Sequence, residues 1–140
     1  MKRLLYSFLL VLLPVLAAGC SNQPNDEIMQ GASAVQLRSY QTRVFDTPDK
    51  LVMLRSVIAT LQDLGFIIDE ANADLGAISA TRVSGTRVRM TVVVSSRGDK
   101  QVLVRASAYL DLKPIEVPEP YQDFFQALEK SVFLTAQQVD

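Results

Sequence analysis

The sequence predicts an α+β fold, a two-layer sandwich in the order β-α-β-β-β-α, with two helices on one face of an antiparallel sheet. Three observations predict it. Apolar side chains recur at helical spacing from Leu51 to Leu64, between Pro48 and Gly65. Two long alternating runs follow on either side of Arg97-Gly98-Asp99-Lys100. A second helical stripe begins after Pro120. A period of three to four makes one helical face and a period of two makes one sheet face, so both helices can cover the sheet's apolar side. At 140 residues the chain has room for one domain of ordinary size.

The elements follow in order along 35–140, the single α+β domain. Val35 to Phe45 is rich in β-branched and aromatic residues and predicts a strand. Thr47 is placed to cap a helix and Pro48 to occupy its first turn, where a missing N–H costs nothing. Leu51, Leu54, Val57, Ile58, Leu61 and Leu64 then share one face, and Gly65 closes the helix. Phe66 to Val83 predicts a strand interrupted around Ala71 to Asp74, whose better half, Ala77 to Val83, runs into a hairpin at Ser84-Gly85. Val88, Met90, Val92 and Val94 alternate with Arg87, Arg89, Thr91 and Val93. After the next turn Val102, Val104, Ala106, Ala108, Leu110 and Leu112 point one way, and Leu103, Arg105, Ser107, Tyr109 and Asp111 the other. A connection with Pro114 and Pro118 leads to a helix from Pro120, with Tyr121, Phe124, Phe125, Leu128 and Val132 as its buried stripe.

Ahead of this domain, Met1-Lys2-Arg3 is a basic start and Leu4 to Leu16 an apolar run interrupted by Pro14. Thirteen residues rise about 20 Å as a helix, short of a hydrocarbon core of about 30 Å. Basic start, short apolar stretch and small residues read as a secretory signal peptide over 1–19. The segment Leu16-Ala17-Ala18-Gly19-Cys20 resembles the lipobox of bacterial lipoproteins, with Ala17 where Leu is commonest. That resemblance implies cleavage between Gly19 and Cys20, a diacylglycerol on the Cys20 thiol and an acyl chain such as palmitate on its freed amine. An ordinary signal peptide with a chance Cys is the plain alternative. The lone Cys of an exported chain, which has no disulfide partner, favours the lipid. Ser21 follows the Cys, without the Asp that marks inner-membrane retention in many enterobacterial lipoproteins. The resemblance therefore implies a Gram-negative outer membrane, with the domain facing the periplasm.

Several chains on one Cys anchor stably where one holds weakly. Cleavage removes two of the 14 basic side chains and none of the 15 acids, taking the formal charge from −1 to −3. Nothing there makes a polybasic membrane patch. Residues 20–34, the lipidated Cys and the polar stretch after it with Pro24 and Gly31, read as a flexible tether. Fourteen residues reach at most about 50 Å, which keeps the domain near its membrane.

The helix running into Leu64-Gly65-Phe66-Ile67-Ile68, then Asp69 and Asp74-Leu75-Gly76-Ala77-Ile78-Ser79-Ala80, resembles a pattern of small periplasmic lipoprotein domains. These include the domains of the helix-grip lipoprotein of the outer-membrane β-barrel assembly machinery, and related uncharacterised proteobacterial lipoproteins. The likeness covers about residues 35–138, mostly through the order of elements. The assembly-machinery lipoprotein has two such domains and a long N-terminal segment; this sequence shows one domain and a short tether.

Composition removes several functions. With one Cys and no His, a structural zinc cluster, an internal disulfide and His-based catalysis are excluded. A formal charge of −1 argues against nucleic-acid binding by bulk charge. Asp46, Asp49, Asp63, Asp69, Glu70 and Asp74 cluster around the first helix, but helix-start, turn and surface roles explain them better than a metal or an acid–base pair. Arg97-Gly98-Asp99 spells a tripeptide used by some adhesion ligands, and turn chemistry accounts for it. No catalytic residue, cofactor or metal is expected.

The outward face of the sheet is the candidate site. Arg87, Arg89 and Arg105 share it with Val93, Leu103 and Tyr109, a mixture that protein interfaces use, with Arg and Tyr as anchors. The plain reading is a solvated face on which those Arg pair with Thr91, Asp111 or another acid. Ile115 and Val117 offer a second, lesser contact. The expected function is a non-enzymatic accessory subunit of an envelope complex for assembly, secretion or transport. The alternative is a small-ligand or lipid-binding module opening between sheet and helices, unless Met90, Phe124 and Phe125 fill that space.

Overall fold

The computed structural model describes residues 34–137, and side chains through residue 134. The expected signal peptide, Gly19, Cys20 and almost all of the tether lie outside the described residues. The described residues belong to one unit, 32–140.

The architecture is the expected two-layer sandwich. Helix α1 (34–41) leads into β1 (Thr42–Phe45), α2 (Lys50–Asp63), β2 (Ile67–Asn72), β3 (Ala77–Ser84), β4 (Thr86–Arg97), β5 (Gln101–Leu110), β6 (Lys113–Pro114) and α3 (Glu119–Gln137). The sheet order is β1-β5-β4-β3-β2, with β6 also on β5, and every pairing is antiparallel. Its inward side chains (Ile78, Ala80, Met90, Val92, Val94, Val102, Val104, Ala106, Ala108) form one buried cluster with Leu61 of α2 and Tyr121, Phe124, Phe125 and Leu128 of α3.

Local structure departs from the sequence reading in several places. Residues 35–41 are helix, and only 42–45 are strand. Leu37 and Tyr40, three apart, pack on the core while Val35 stays exposed, so helical spacing decides over β propensity. The interrupted segment 66–83 is two antiparallel strands, with a bulge between Ile68 and Glu70. Asp49, not Thr47, caps α2: its Oδ1 accepts the Val52 N–H at 2.9 Å, a role Asp fills somewhat better than Thr. Thr47 instead accepts the N–H of Asp49 at 3.4 Å.

The buried arc of α2 is Met53, Leu54, Ser56, Val57, Thr60 and Leu61, whereas Leu51 is 56% exposed. The arc is turned because α2 packs against α3 as well as the sheet. The small residues Ser56 and Thr60 allow that second contact. Thr60 Oγ1 is buried there without a hydrogen-bond partner.

Gly65 ends α2 as expected. At φ +82° it donates its N–H to Gln62 O at 2.9 Å, and Phe66 N–H reaches Leu61 O at 2.9 Å. The two bonds make a Schellman closure, with buried Phe66 and Leu61 at its ends. Leu112 does not continue the β5 alternation. It follows Asp111, whose φ is +53°, at the turn into β6 and is 93% exposed.

Candidate functional site

The helices leave one face of the sheet open. Alternation forces its membership, because every residue facing the helices is flanked by two that face away. From β1 outward it carries Thr42 and Val44, then Leu103, Arg105, Ser107 and Tyr109, then Arg87, Arg89, Thr91 and Val93. Ser79, Thr81 and Val83 come next, and Ile67 lies at the far edge. Val44, Ile67, Val83, Val93 and Tyr109 are exposed apolar side chains.

The register places each expected residue. Arg89 stands directly opposite Tyr109 on one side and Thr81 on the other. Arg87, two residues earlier on β4, stands opposite Val83. Arg87, Arg89, Val83 and Tyr109 form one exposed group. Directly opposed Cβ atoms lie about 5 Å apart, close enough for a guanidinium to lie along a phenol ring. Arg105 is not part of that group. It pairs with Val93 and Thr42, four residues along the strand from Tyr109 and so about 13 Å away. The sheet face therefore has a cationic–aromatic end and a separate cation near β1.

Among the described residues, the guanidinium groups of Arg87, Arg89 and Arg105 have no hydrogen-bond or ion-pair partner. Asp111, a partner considered from sequence, uses its N–H to bond Arg87 O at 2.9 Å. Asp69 lies on the same face and accepts the Thr81 hydroxyl at 2.6 Å. Two arginines on the core side are engaged. Arg43 lies over the Phe125 ring and donates to Ser39 O, while Arg82 lies over the Phe66 ring and donates to Leu64 O. The open-face arginines, like Arg38 and Arg55 on the helices, keep their donors free among the described residues.

Sequence reasoning did not include Val44, Ile67 and Val83 in this face. Period two from Ala77 makes Val83 outward, so that signal was available. Ile67 was obscured by the β2 bulge, which shifts the register after Ile68.

The remaining candidates have structural duties. Asp49 caps α2, Asp46 accepts from Gln101 Nε2 at 2.6 Å, and the carbonyl of Asp74 accepts from Lys50 Nζ at 3.2 Å. Among the described residues no three His, Cys, Asp or Glu side chains are grouped to hold a metal ion. Arg97, Asp99 and Gln101, with Asp46, line an open groove at the β4–β5 turn. Ile115 is packed against the core, while Val117 is exposed. Between sheet and helices, Met90, Phe124 and Phe125 are almost wholly buried, and the Phe rings meet edge-on with centroids 5.1 Å apart. A recess beside Phe66, Met90 and Ile115 has a volume of about 90 Å³. Sites for drug-sized ligands take about 300–1,000 Å³.

Among the described residues, no helix is long and apolar enough to cross a membrane. Compared with known proteins, the chain matches no protein-family model and no curated protein.

Proposed function

We propose that the protein is a lipid-anchored outer-membrane lipoprotein whose periplasmic domain serves as a non-enzymatic accessory subunit of an envelope complex. The observation that carries this reading is the sheet face that no described residue covers, where the guanidinium groups of Arg87 and Arg89 have no partner among the described residues beside Tyr109. Exposed Ile67, Val83 and Val93 lie on the same face as those guanidinium groups. Such a combination fits an interface that desolvates the apolar side chains and supplies acceptors to the arginines. The anchor supports the same reading from the sequence. Acylation of Cys20 confines the domain to a surface and raises its effective concentration toward partners there.

The alternative, a ligand held between sheet and helices, draws less support. The large side chains of the core already occupy that space, and the adjoining recess is small. The test compares two lipidated proteins from gently solubilised envelopes, the natural chain and an Arg87→Ala/Arg89→Ala/Tyr109→Ala variant. The expected result is a stoichiometric envelope protein retained by the first and lost by the second, with the variant's thermal unfolding unchanged. Equal retention by both would remove the face from the account. Cys20→Ala supplies the control for the anchor.

A further inference from the structure

The charges of the open face are sorted by strand. The outward side chains of β4 and β5 carry Arg87, Arg89, Arg97 and Arg105 and no acid. Those of β2 carry Asp69 and Glu70 and no base. Between the two sets stands β3, with the small, uncharged Ser79 and Thr81. Two strand spacings, the distance from β4 to β2, are about 10 Å, and among the described residues no ion pair joins the sets. The large apolar side chains are sorted as well, with Tyr109 on β5 and the exposed Ile67 on β2. One row shows the whole pattern. Tyr109, Arg89, Thr81 and Ile67 stand at one level across β5, β4, β3 and β2. Asp69 is drawn to that level by the Thr81 hydroxyl, which donates to it at 2.6 Å.

We propose that this face pairs with the same face of a second copy of the chain, about a two-fold axis that runs parallel to the strands between β3 and β4. The inference rests on reading the open face as an interface, and it names what that interface meets. Such an axis lays β5 on β2 of the second copy and β4 on its β3. Tyr109 then meets Ile67 of the second copy, and Arg89 meets its Thr81 with Asp69 alongside. The contact is isologous, so each complementary pair occurs twice. A face that was cationic throughout would repel its own copy. Here the arginines of β4 and β5 come to lie on strands whose outward side chains carry no base, and the counter-charges sit on β2. Small Ser79, Thr91 and Ser107 in the middle let two sheets approach to about 10 Å, the usual separation of packed sheets. From β5 to β2 the face spans about 19 Å, and over about 25 Å of strand that is about 500 Å² per copy. Two copies bury about 1,000 Å² between them, the lower bound for a specific interface. The pairing is therefore reversible, and confining the copies to one surface strengthens it.

The test is a charge exchange read by sedimentation equilibrium of the purified full chain in density-matched detergent. The natural chain is expected to pass from monomer to dimer as its concentration rises. Arg89→Asp sets carboxylate against carboxylate at both contacts, and Asp69→Arg sets guanidinium against guanidinium. Each variant alone should therefore associate at least about tenfold more weakly. An equal mixture of the two variants should recover the association, because each then meets its opposite charge at both contacts. Thermal unfolding of each variant, expected to remain cooperative near the natural temperature, separates this loss from misfolding. A natural chain that stays monomeric at every concentration, a dimer that neither substitution weakens, or a mixture no stronger than its components would each overturn the pairing. If the pairing fails while the natural chain retains an envelope protein that Arg87→Ala/Arg89→Ala/Tyr109→Ala loses, the face stands as an interface for that other partner. Equal retention would remove both readings.

Discussion

The two faces of this sheet are built from the same strands and obey opposite rules. The inward face places Val92, Val94, Val102, Val104 and Ala106 at zero exposure against two helices. The outward face places Arg89 against Tyr109 and Arg105 against Val93, and nothing among the described residues covers them. One face has every contact it can make and should punish any change. The other holds donors and apolar groups in water and should tolerate change in stability while losing partners. Stability and recognition are thereby separated onto the two sides of one pleat.

Substitutions sharpen that comparison, beginning on the covered side. Phe124→Ala removes a fully buried ring and should destabilise by about 3–5 kcal/mol in urea unfolding. Gly76→Ala should be comparably damaging. A Cβ there would sit 2.2 Å from Val94 O at φ +70°, in the connection where Val94 N–H bonds Gly76 O at 2.8 Å. Gly98→Ala meets nothing within 4 Å and should lose only the left-handed backbone preference, about 1–2 kcal/mol. Equal losses at the two glycines would show that crowding against β4 is not what Gly76 relieves.

Tyr121→Phe tests the polar group that ties α3 to the sheet. Its hydroxyl donates to Ile115 O at 2.6 Å and accepts the Ala108 N–H at 3.2 Å. Leaving these unsatisfied should cost about 1–3 kcal/mol. Thr60→Val, which replaces a buried hydroxyl without a partner by a methyl of similar size, should be neutral or stabilise by about 1 kcal/mol. On the open side, Arg87→Ala, Arg89→Ala and Tyr109→Ala should each move stability by no more than about 0.5 kcal/mol. A large loss there would mean that the open face is part of the core.

What was legible in the sequence follows the same division. Strict alternation in β4 and β5, the glycine turns and the α3 stripe were readable because buried faces impose a period on the chain. Periodicity also put Arg87, Arg89 and Tyr109 on the outward face. The path 35–41 was not readable, because a short segment whose apolar contacts with the core are Leu37 and Tyr40 carries too few buried positions to set a period. The rotation of α2 was missed for a different reason. Leu51 looks like a core residue until α3 takes the neighbouring arc and small Ser56 and Thr60 become the packed positions. Nor did the sequence separate Arg105 from the Arg89–Tyr109 pair, since that depends on the register between β4 and β5.

The most direct test of the account is comparative capture with the Arg87→Ala/Arg89→Ala/Tyr109→Ala variant, read beside its unfolding curve. The expected result is an unchanged melting temperature and loss of a stoichiometric envelope partner that the natural, lipidated protein retains through gentle solubilisation. A variant that unfolds as the natural protein does and keeps the same partner at the same yield would contradict it.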